Sequence, residues 1–443
     1  MKRVLVLGAG LVSRPMVRYL LAVPDFEVTV ASRTLSRAEK LIAGHARGKA
    51  VQLLADQEQA LDALVSAHDL TVSLLPYTYH VQVARHCLKH QRSMVTTSYV
   101  SDAMKELDTE ARDAGILLLN EIGLDPGIDH MSAMSIVHRI QASGGDVLSF
   151  MSYCGGLPAP EANDNPLGYK FSWSPKGVVM AGRNPGRYLK DGKEVVVPGE
   201  ELFGHHWPLD IEGEGKFEAY PNRDSLPYIG LYGIQKTRTM FRGTLRNPGW
   251  CETLKAIADL GLLDDRERND LQGLTVQAWM LSYVPGEGDL RQNTAARLGL
   301  ERDSAAVSNM AWLGMFGDEP VGIEKGSNLD IIAKLMLDRM SYKPGERDMI
   351  VLHHDFTAEL PGRPEQHITS TLVDYGRPEG DSAMARTVSL PAAVAVKLAL
   401  QGGVGLTGVH IPVVPELYQP VLSELESMGV VFKERGLDRV QDS

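Results

Sequence analysis

The N-terminus joins a short apolar run to a glycine turn, and this junction restricts the possible folds more than any other feature of the chain. Val4–Leu7 is apolar throughout, Gly8 and Gly10 follow at once, and the next segment, Leu11–Leu21, has helical apolar spacing. In such a unit the first glycine permits a tight turn and the second lets the backbone approach a pyrophosphate on the positive helix N-terminus. Ser13 replaces the usual third glycine but is small enough for close helix–strand packing. The pattern favours a dinucleotide-binding turn over an ordinary glycine turn.

The N-terminal quarter of the chain alternates β-branched runs with helical patterns. This alternation is typical of a parallel, doubly wound sheet, so we predict an α/β Rossmann domain. The predicted strands are Val4–Leu7, Glu27–Ala31, Leu70–Leu75, Ser93–Thr97 and Ile116–Asn120, and the predicted helices after Leu11–Leu21 are Leu35–Ile42, His80–His90 and Asp102–Ala114.

From Gly144 onward the sequence becomes richer in Gly, Pro and aromatic residues, then helical, then strand-like again. We predict strands at Val147–Ser152, Glu194–Val197, Asp348–Asp355, Ile368–Val373 and Val430–Lys433, and helices at Trp250–Leu263, Leu329–Arg339, Leu390–Leu400 and Glu416–Met428. The predicted domains are a dinucleotide-binding domain over 1–128, to which 411–443 returns, an α/β domain over 129–249 and 340–410, and a smaller all-helical domain over 250–339.

Composition excludes several classes of partner. Lys and Arg total 45 and Asp and Glu total 56, which gives a net charge of −11, whereas nucleic acids and anionic membranes select basic surfaces. No run approaches the roughly 18 uncharged residues of a spanning helix. The three cysteines have no CxxC spacing, which is typical of a reducing compartment. We expect a cytoplasmic protein without nucleic-acid or membrane partners.

The end of the second predicted strand indicates which dinucleotide binds. An NAD site usually carries an acid there for the ribose 2′-hydroxyl. This strand ends instead in Ser32, Arg33 and Thr34. An arginine can pair with a 2′-phosphate through forked, charge-assisted hydrogen bonds. The alternative is a solvated surface arginine, but the pattern favours NADP over NAD.

Two further loops follow predicted strands, at the edge where open parallel sheets bind ligands. One contains Leu75, and the other contains Thr97, Ser98 and Tyr99. Either loop could be a simple turn. Hydroxyl and phenol groups at this edge nevertheless suit contacts with a cofactor amide and a substrate.

The remaining motifs carry a resemblance to a known family. In order, they read GAGLVSRP, ASRTL, SLLPYTYH, VTTSYVS, NEIGLDPGIDH, YCGGLPAPE, DNPLGYKFSWSPKG, YPNRDS, RGTLR, AWLGMFGD, ERDMIVL and TSTLVDYG. So many segments in this order, over essentially the whole chain, resemble saccharopine dehydrogenase of the glutamate-forming type. The resemblance implies a Rossmann domain, a mixed-sheet substrate and dimerisation domain, a smaller helical domain and a homodimer.

The resemblance also implies reversible, NADP-dependent cleavage of saccharopine to glutamate and 2-aminoadipate 6-semialdehyde, in lysine metabolism. With the glycine turn, the implied cofactor contacts are Gly8, Ala9, Gly10, Leu11, Val12, Ser32, Arg33, Thr34, Leu75, Thr97, Ser98, Leu124, Asp125, Pro126 and Ser174. The implied substrate contacts are Ser98, Tyr99, Asp125, Arg223, Thr244, Leu245 and Arg246.

The chemistry of saccharopine gives these residues physical roles. The molecule has three carboxylates, which Arg223 and Arg246 suit as bidentate partners, with Lys170 as a third cation. Each arginine could instead form a surface salt bridge. Asp125, Tyr99 and Cys154 are the candidates for proton transfer, although Cys154 could equally be a small packing residue.

Rival interpretations also remain open at this stage. The paired histidines at 205–206 and 353–354 lack a metal-binding spacing, so we expect no metal. The nearest rival function is another opine-like C–N reductase, such as carboxynorspermidine dehydrogenase, whose substrate has fewer carboxylates. A rival from another class is a non-catalytic NADP sensor.

Overall fold

The computed structural model describes residues 1–54, 56–173 and 175–436. These form two compact units, one built from Met1–Gly144 with Gly380–Phe432 and one from Gly145–Glu379 with the described residues from Lys433 onward. Ser174, an implied cofactor contact, lies outside the described residues, as does the end of the predicted segment 411–443.

The described residues contain the following strands and helices. The strands are β1 Lys2–Leu7, β2 Phe26–Ser32, β3 Gly48–Gln52, β4 Leu70–Ser73, β5 Ser93–Thr96, β6 Leu117–Leu119, β7 Asp146–Pro158, β8 Gly186–Lys190, β9 Lys193–Val197, β10 Trp207–Ile211, β11 Gly215–Pro221, β12 Thr239–Arg246, β13 Asp348–Glu359, β14 Gln366–Tyr375, β15 Gly408–His410 and β16 Phe432–Arg435. The helices are α1 Ser13–Ala22, α2 Leu35–Ile42, α3 Glu58–Ser66, α4 His80–Lys89, α5 Asp102–Lys105, α6 Asp108–Asp113, α7 Ile128–Ala142, α8 Pro175–Ala181, α9 Pro227–Leu231, α10 Trp250–Asp259, α11 Val276–Leu281, α12 Leu290–Leu298, α13 Ala305–Trp312, α14 Asn328–Arg339, α15 Ala383–Leu400 and α16 Pro415–Ser427, with 3₁₀ turns at Tyr77–Tyr79, Pro160–Ala162 and Gly199–Gly204.

The first unit is built on a seven-stranded parallel sheet in the order β15-β6-β5-β4-β1-β2-β3. Its interior strand β1 is fully buried over Val4–Leu7, as expected for a strand covered by helices on both faces. Because β1 pairs with β2 on one side and β4 on the other, the strand order reverses at β1. Open sheets of this kind bind ligands at the carboxyl ends beside that reversal. The predicted Rossmann fold is confirmed.

Helix α15 belongs to this first unit and is its longest described helix. By length and composition it could cross a membrane, and it is the one such helix in the described ranges, but 72% of it is buried inside the protein. A core helix of a globular protein has the same properties. The Lys397 ammonium of α15 binds the Glu424 carboxylate of α16 at 2.6 Å, and the Tyr19 hydroxyl of α1 donates to the same carboxylate. This cluster ties the C-terminal helices to the dinucleotide fold.

The second unit is built on a nine-stranded mixed sheet. Seven of its strands lie in the order β10-β11-β12-β7-β13-β14-β16, with the hairpin of β8 and β9 attached to β12. Strands β12 and β7 are parallel, whereas β7 and β13 are antiparallel. The helical segment that follows β12 shares one hydrophobic core with this sheet, in which Trp250 and Trp279 pack with sheet residues such as Phe241. The shared core explains why this segment does not separate as a compact unit of its own.

The compact units depart from the sequence-based boundaries in three further places. Helix α7 stays with the first unit rather than opening the second, because His138 hydrogen-bonds the Tyr418 hydroxyl of α16 at 2.8 Å. The chain returns to the first unit at Gly380 rather than at 411, and Arg14 of α1 ion-pairs there with Asp381. The final strand β16 pairs with β14, so the C-terminal segment crosses to the second sheet instead of ending in the first unit.

Two local predictions also need correction, and two elements of the first unit were not predicted. The predicted helix Asp102–Ala114 is two short helices, α5 and α6, separated at residues 106–107. The helix predicted from Leu390 begins at Ala383 and contains Pro391. The elements that were not predicted are strand β3 and helix α3. Strand β3, Gly48–Gln52, is a half-exposed edge strand whose sequence has little alternation.

Candidate active site

The glycine turn after β1 is closed by a serine. Gly8 has a φ of +114°, and a Cβ there would lie 2.9 Å from the Leu74 carbonyl oxygen, so only glycine fits. The buried Ser13 hydroxyl donates to the Gly8 carbonyl at 3.3 Å and accepts from the Gly10 amide at 3.1 Å. Ser13 therefore stabilises the turn by hydrogen bonds, which explains why the third glycine is dispensable. Gly10 and Leu11 are exposed at the start of α1, where a pyrophosphate would bind.

The tip of β2 presents an exposed arginine. The Arg33 carbonyl accepts from the Gln52 side chain at 3.2 Å, and the Ser32 hydroxyl accepts from the Thr34 amide at 3.3 Å, so the backbone at this tip is fixed. Within the described ranges the Arg33 guanidinium has no ion pair. It is available for an anion, as a 2′-phosphate site requires.

The loops after β5 and β6 pack against each other and bring the predicted Tyr99 and Asp125 together. The Glu121 amide donates to the Ser98 carbonyl at 3.0 Å, and the Tyr99 hydroxyl donates to Asp125 Oδ1 at 2.9 Å. Both side chains are half-buried. The phenol thus orients a carboxylate at the carboxyl edge of the parallel sheet.

A buried carboxylate that the sequence analysis did not single out supports this loop pair. Glu121 has a φ of +56°, an uncommon conformation for a residue with a side chain. Its carboxylate accepts from the Val100 amide at 2.9 Å and lies 2.8 Å from His130 Nε2, with both side chains buried. These contacts hold the turn that carries Asp125. A Glu nine residues before a His on a following helix is too common a spacing to be recognised in one sequence.

In the second unit, neighbouring strands bring Cys154, Thr244 and Leu245 together. Thr244 of β12 pairs with Cys154 of β7, and the Leu245 side chain lies against Gly155, where an added Cβ would be 2.8 Å away. Cys154 and Leu245 are buried, whereas Thr244 is half-buried. Gly155, the first glycine after Cys154, therefore leaves the space that Leu245 occupies.

Arg246 is a buried cation with no carboxylate partner among the residues that the structure describes. Its guanidinium carbon lies 4.9 Å from the Tyr169 ring centre and 5.2 Å from that of Trp250. Its Nη1 donates to the Leu245 carbonyl at 2.7 Å, but its buried Nε has no hydrogen-bond partner in the described part of the chain. Burying a charge without a partner is costly, so this arrangement is suited to an anionic ligand. The sequence motif identified Arg246, but not the two aromatic rings that hold it.

Arg223 lies in the turn after β11 and has a left-handed backbone conformation. It has a φ of +58°, and its carbonyl accepts from the Arg187 amide at 2.9 Å. The Arg187 guanidinium in turn pairs with Asp224 at 3.1 Å. The turn after β11 is therefore anchored at Arg223 itself and at the residue that follows it.

Lys170, the predicted third cation for substrate, already has two carboxylate partners in the fold. Its ammonium is buried and lies 2.8 Å from an Asp164 oxygen and 2.7 Å from Glu346 Oε2. These two carboxylates satisfy its charge within the fold and hold the 164–170 loop. The pairing favours a structural role, and the contact of Lys170 with a third substrate carboxylate stays a prediction. The described residues contain no cluster of three His, Cys, Asp or Glu side chains that could hold a metal.

We predict that removing both acids from Lys170 destabilises the protein without changing substrate affinity. In the double variant D164N/E346Q the buried ammonium loses both charged partners, which should lower the free energy of unfolding by about 3 kcal/mol. The KM for substrate should stay within about threefold of wild type. Denaturant titration and initial rates check both values, and a tenfold rise in KM would restore Lys170 to the binding site.

The same cluster predicts a dependence of stability on pH. Hydrogen bonds from Lys170, and then from Lys343, lower the pKa of Asp164 from 3.8 to about 2. Because this pKa is lower in the folded than in the unfolded chain, the stabilisation is present above pH 4 and is lost as the pH falls towards 2. Thermal unfolding of D164N should therefore depend less on pH than wild type between pH 4 and 2. Identical slopes would contradict the ionised pair.

These features define the class of the protein. The exposed glycine turn, the exposed Arg33 and the polar loops beyond β5 and β6 fit NADP at the first unit. In the second unit the buried Arg246, which has no carboxylate partner among the described residues, fits a carboxylate ligand. The chain is a dinucleotide-binding protein with the construction of an oxidoreductase. More particularly, it belongs to the saccharopine dehydrogenase family: the family's NADP binding domain matches residues 4–119 and its C-terminal domain matches residues 123–430.

Individual relatives agree with this assignment. The chain is 41% identical to "Saccharopine dehydrogenase [NADP(+), L-glutamate-forming]" of Pyricularia oryzae, over 98% of this chain and 99% of that protein. It is 39% identical to the mitochondrial alpha-aminoadipic semialdehyde synthase of Bos taurus, over 97% of this chain but 47% of that longer protein. The solved apo saccharopine dehydrogenase (L-Glu forming) from Saccharomyces cerevisiae matches with a TM-score of 0.90 and 39% identity, over 99% of this chain and 100% of that structure.

Proposed function

We propose that this chain is an NADP-dependent saccharopine dehydrogenase of the glutamate-forming type. It converts saccharopine, NADP⁺ and water to L-glutamate, 2-aminoadipate 6-semialdehyde, NADPH and a proton, reversibly, within lysine metabolism through aminoadipate. The observation that carries the proposal is the identity of 41% over the full length of a protein of that name. The Arg33 tip of β2 independently supports NADP.

In this proposal each unit binds one reactant. Gly8, Gly10 and Arg33 hold the pyrophosphate and 2′-phosphate of the cofactor, which when bound accepts a hydride. In the second unit Arg246 and Arg223 bind substrate carboxylates. Rigid binding of several carboxylates fixes the position of the reacting carbon. Such positioning is the main contribution of a protein to hydride transfer, because the cofactor supplies the chemistry.

The proton movements fall to the substrate amine and the Tyr99–Asp125 pair. The secondary amine of saccharopine must be neutral for its lone pair to assist hydride loss, and water then attacks the resulting substrate imine. Asp125, held by the Tyr99 hydroxyl at 2.9 Å, is suited to binding a substrate ammonium and accepting a proton. We assign Cys154 to packing, because it is buried beside Gly155 in the centre of the sheet.

The assembly and location of the protein are further parts of the proposal. We propose a cytoplasmic homodimer with small-molecule substrates and no nucleic-acid or membrane partner. The net charge of −11 and three buried cysteines, none of them in a disulfide, support this assignment. Light scattering during size-exclusion chromatography measures the mass, and a monomer would contradict the dimer.

A substrate panel tests the activity directly. We expect rapid NADPH oxidation with L-glutamate plus 2-aminoadipate 6-semialdehyde, and rates at least about a hundredfold lower when a diamine replaces glutamate, since the diamine lacks the two carboxylates that glutamate contributes. Turnover with the diamine alone would favour a carboxynorspermidine-type reductase. Tight NADPH binding without turnover of any pair would favour a sensor.

A further inference from the structure

His80, the first residue of α4, is buried among three hydroxyl groups. Its Nδ1 lies 2.9 Å from Ser73 Oγ, and its Nε2 lies 2.8 Å from Ser98 Oγ and 3.2 Å from Thr96 Oγ1. Ser73 ends β4, Thr96 ends β5, and Ser98 lies two residues beyond β5. One imidazole therefore joins the carboxyl ends of two neighbouring strands of the parallel sheet.

The state of this imidazole follows from its surroundings. Burial lowers the pKa of His80 from 6.5 to about 4, and no carboxylate lies among the hydrogen-bond partners that the structure gives it. A neutral imidazole has one N–H donor and one nitrogen acceptor. In either tautomer one ring nitrogen bonds the Ser73 hydroxyl while the other bonds Ser98 and Thr96. The ring is thus fixed at both ends without a charge.

This chain of hydrogen bonds runs from the protein interior to the candidate active site. Ser73, His80 and Thr96 are buried, whereas Ser98 is half-buried. Ser98 is the one member that the family resemblance assigns to cofactor and substrate contacts. The Ser98 hydroxyl can both donate and accept a hydrogen bond, and Nε2 engages one of these two functions. The remaining function therefore points in a defined direction. The Ser98 side chain, which could otherwise rotate, is preorganised.

We infer that His80 is a positioning residue of the enzyme: its Nε2 fixes the Ser98 hydroxyl for contact with the bound reactants. The inference rests on the proposed function, because that function gives Ser98 its role. His80 makes no contact of its own with the reactants. It acts through Ser98, and this separates it from a histidine that only stabilises the sheet.

Two substitutions at His80 distinguish the ring nitrogens. In H80Q the side-chain amide reaches the position of Nε2 and keeps a partner for Ser98, whereas in H80N the shorter amide reaches only the position of Nδ1 and keeps Ser73. Both variants lose part of the buried network and should unfold at lower temperature. Only H80N should lose activity: we expect kcat/KM for saccharopine to fall about tenfold in H80N and to stay within about threefold of wild type in H80Q.

A double-mutant cycle tests whether the effect passes through Ser98. We expect S98A to lower kcat/KM, and H80N to cost less than about twofold more in the S98A background, because its target is already absent. Multiplicative losses, or equal activity of H80N and H80Q, would overturn the inference.

His68 is the matched control for a purely structural histidine. It is buried in the same unit, hydrogen-bonds the Thr29 hydroxyl at 2.8 Å and the Leu64 carbonyl at 2.6 Å, and precedes β4 at the amino edge of the sheet. H68N should lower the unfolding midpoint and leave kcat/KM unchanged. A tenfold loss in H68N would show that any buried histidine has this effect, and would remove the support for His80.

Binding of NADPH keeps this test separate from the proposed function. Fluorescence titration of wild type, H80Q, H80N and S98A gives the Kd for NADPH without any turnover. If wild type failed to turn over saccharopine, the proposed function would fail. A Kd for NADPH raised severalfold in both H80N and S98A, but not in H80Q, would still support the positioning of Ser98. Equal Kd values for H80Q, H80N and S98A would then overturn the inference.

Discussion

Replacing Arg246 with methionine should raise the KM for saccharopine at least about thirtyfold while the KM for NADP⁺ changes less than threefold. The guanidinium is held between the Tyr169 and Trp250 rings, and the structure gives it no carboxylate partner within the residues that it describes. A substrate carboxylate bound there loses its buried charged partner in the variant, a loss worth about 2 kcal/mol or more. Initial rates over a matrix of both substrate concentrations give the two KM values.

The stability of R246M is a second, independent test of the role of Arg246. Because an unpaired buried cation destabilises the free protein, a methionine of similar length should leave the unfolding midpoint unchanged or raise it. Arg347 is the matched control: it also lies over an aromatic ring, that of Tyr375, but it pairs with Glu161 at 2.6 Å. R347M should leave the KM for saccharopine unchanged. A strong loss of stability in R246M without a change in KM would assign Arg246 to the core.

Replacing Arg33 with alanine should change the choice of cofactor. The exposed guanidinium at the tip of β2 is placed for the 2′-phosphate that distinguishes NADP from NAD, and hydrogen bonds between charged groups contribute about 2 kcal/mol. We expect kcat/KM for NADP⁺ to fall about thirtyfold and that for NAD⁺ to change less than threefold. Parallel assays with the two cofactors measure the ratio.

A control for net charge accompanies this variant. Lys49 lies near the start of β3, the strand beside β2, so K49A removes one positive charge from the same region without touching the tip. The ratio of kcat/KM for NADP⁺ to kcat/KM for NAD⁺ in K49A should match that of wild type. Salt screens the effect of a remote surface charge, so the match should also hold at high salt. Equal losses for both cofactors in R33A would show that Arg33 does not contact the 2′-phosphate.

The first unit was predictable because its signals are local. The apolar strand Val4–Leu7, the glycine turn and the acid-free tip at Arg33 each occupy a few consecutive residues, and the structure has each in the predicted element. Strand β3 escaped prediction because an edge strand is exposed and lacks a strong pattern. The division of the chain at Gly380 also has no local signal, since it depends on how α15 packs.

The candidate active site was predictable only in part. Motifs identified Arg246, Tyr99 and Asp125, but a sequence does not say whether a charged group already has a partner. The structure gives this distinction: Arg246 has aromatic neighbours and no carboxylate partner within the described ranges, whereas Lys170 has two carboxylate partners. His80 is similar: its role depends on hydroxyls of separate strands, which only the folded sheet brings within hydrogen-bonding distance.

The fate of deuterium in labelled saccharopine tests the central claim most directly. In the proposed reaction the hydride leaves the carbon of the lysyl side chain next to the secondary amine. Saccharopine deuterated there should give deuterated NADPH, with L-glutamate and 2-aminoadipate 6-semialdehyde as products by mass spectrometry. Deuterium at the glutaryl α-carbon should remain in glutamate. Transfer of that deuterium to NADP⁺, with lysine and 2-oxoglutarate as products, would contradict the glutamate-forming assignment.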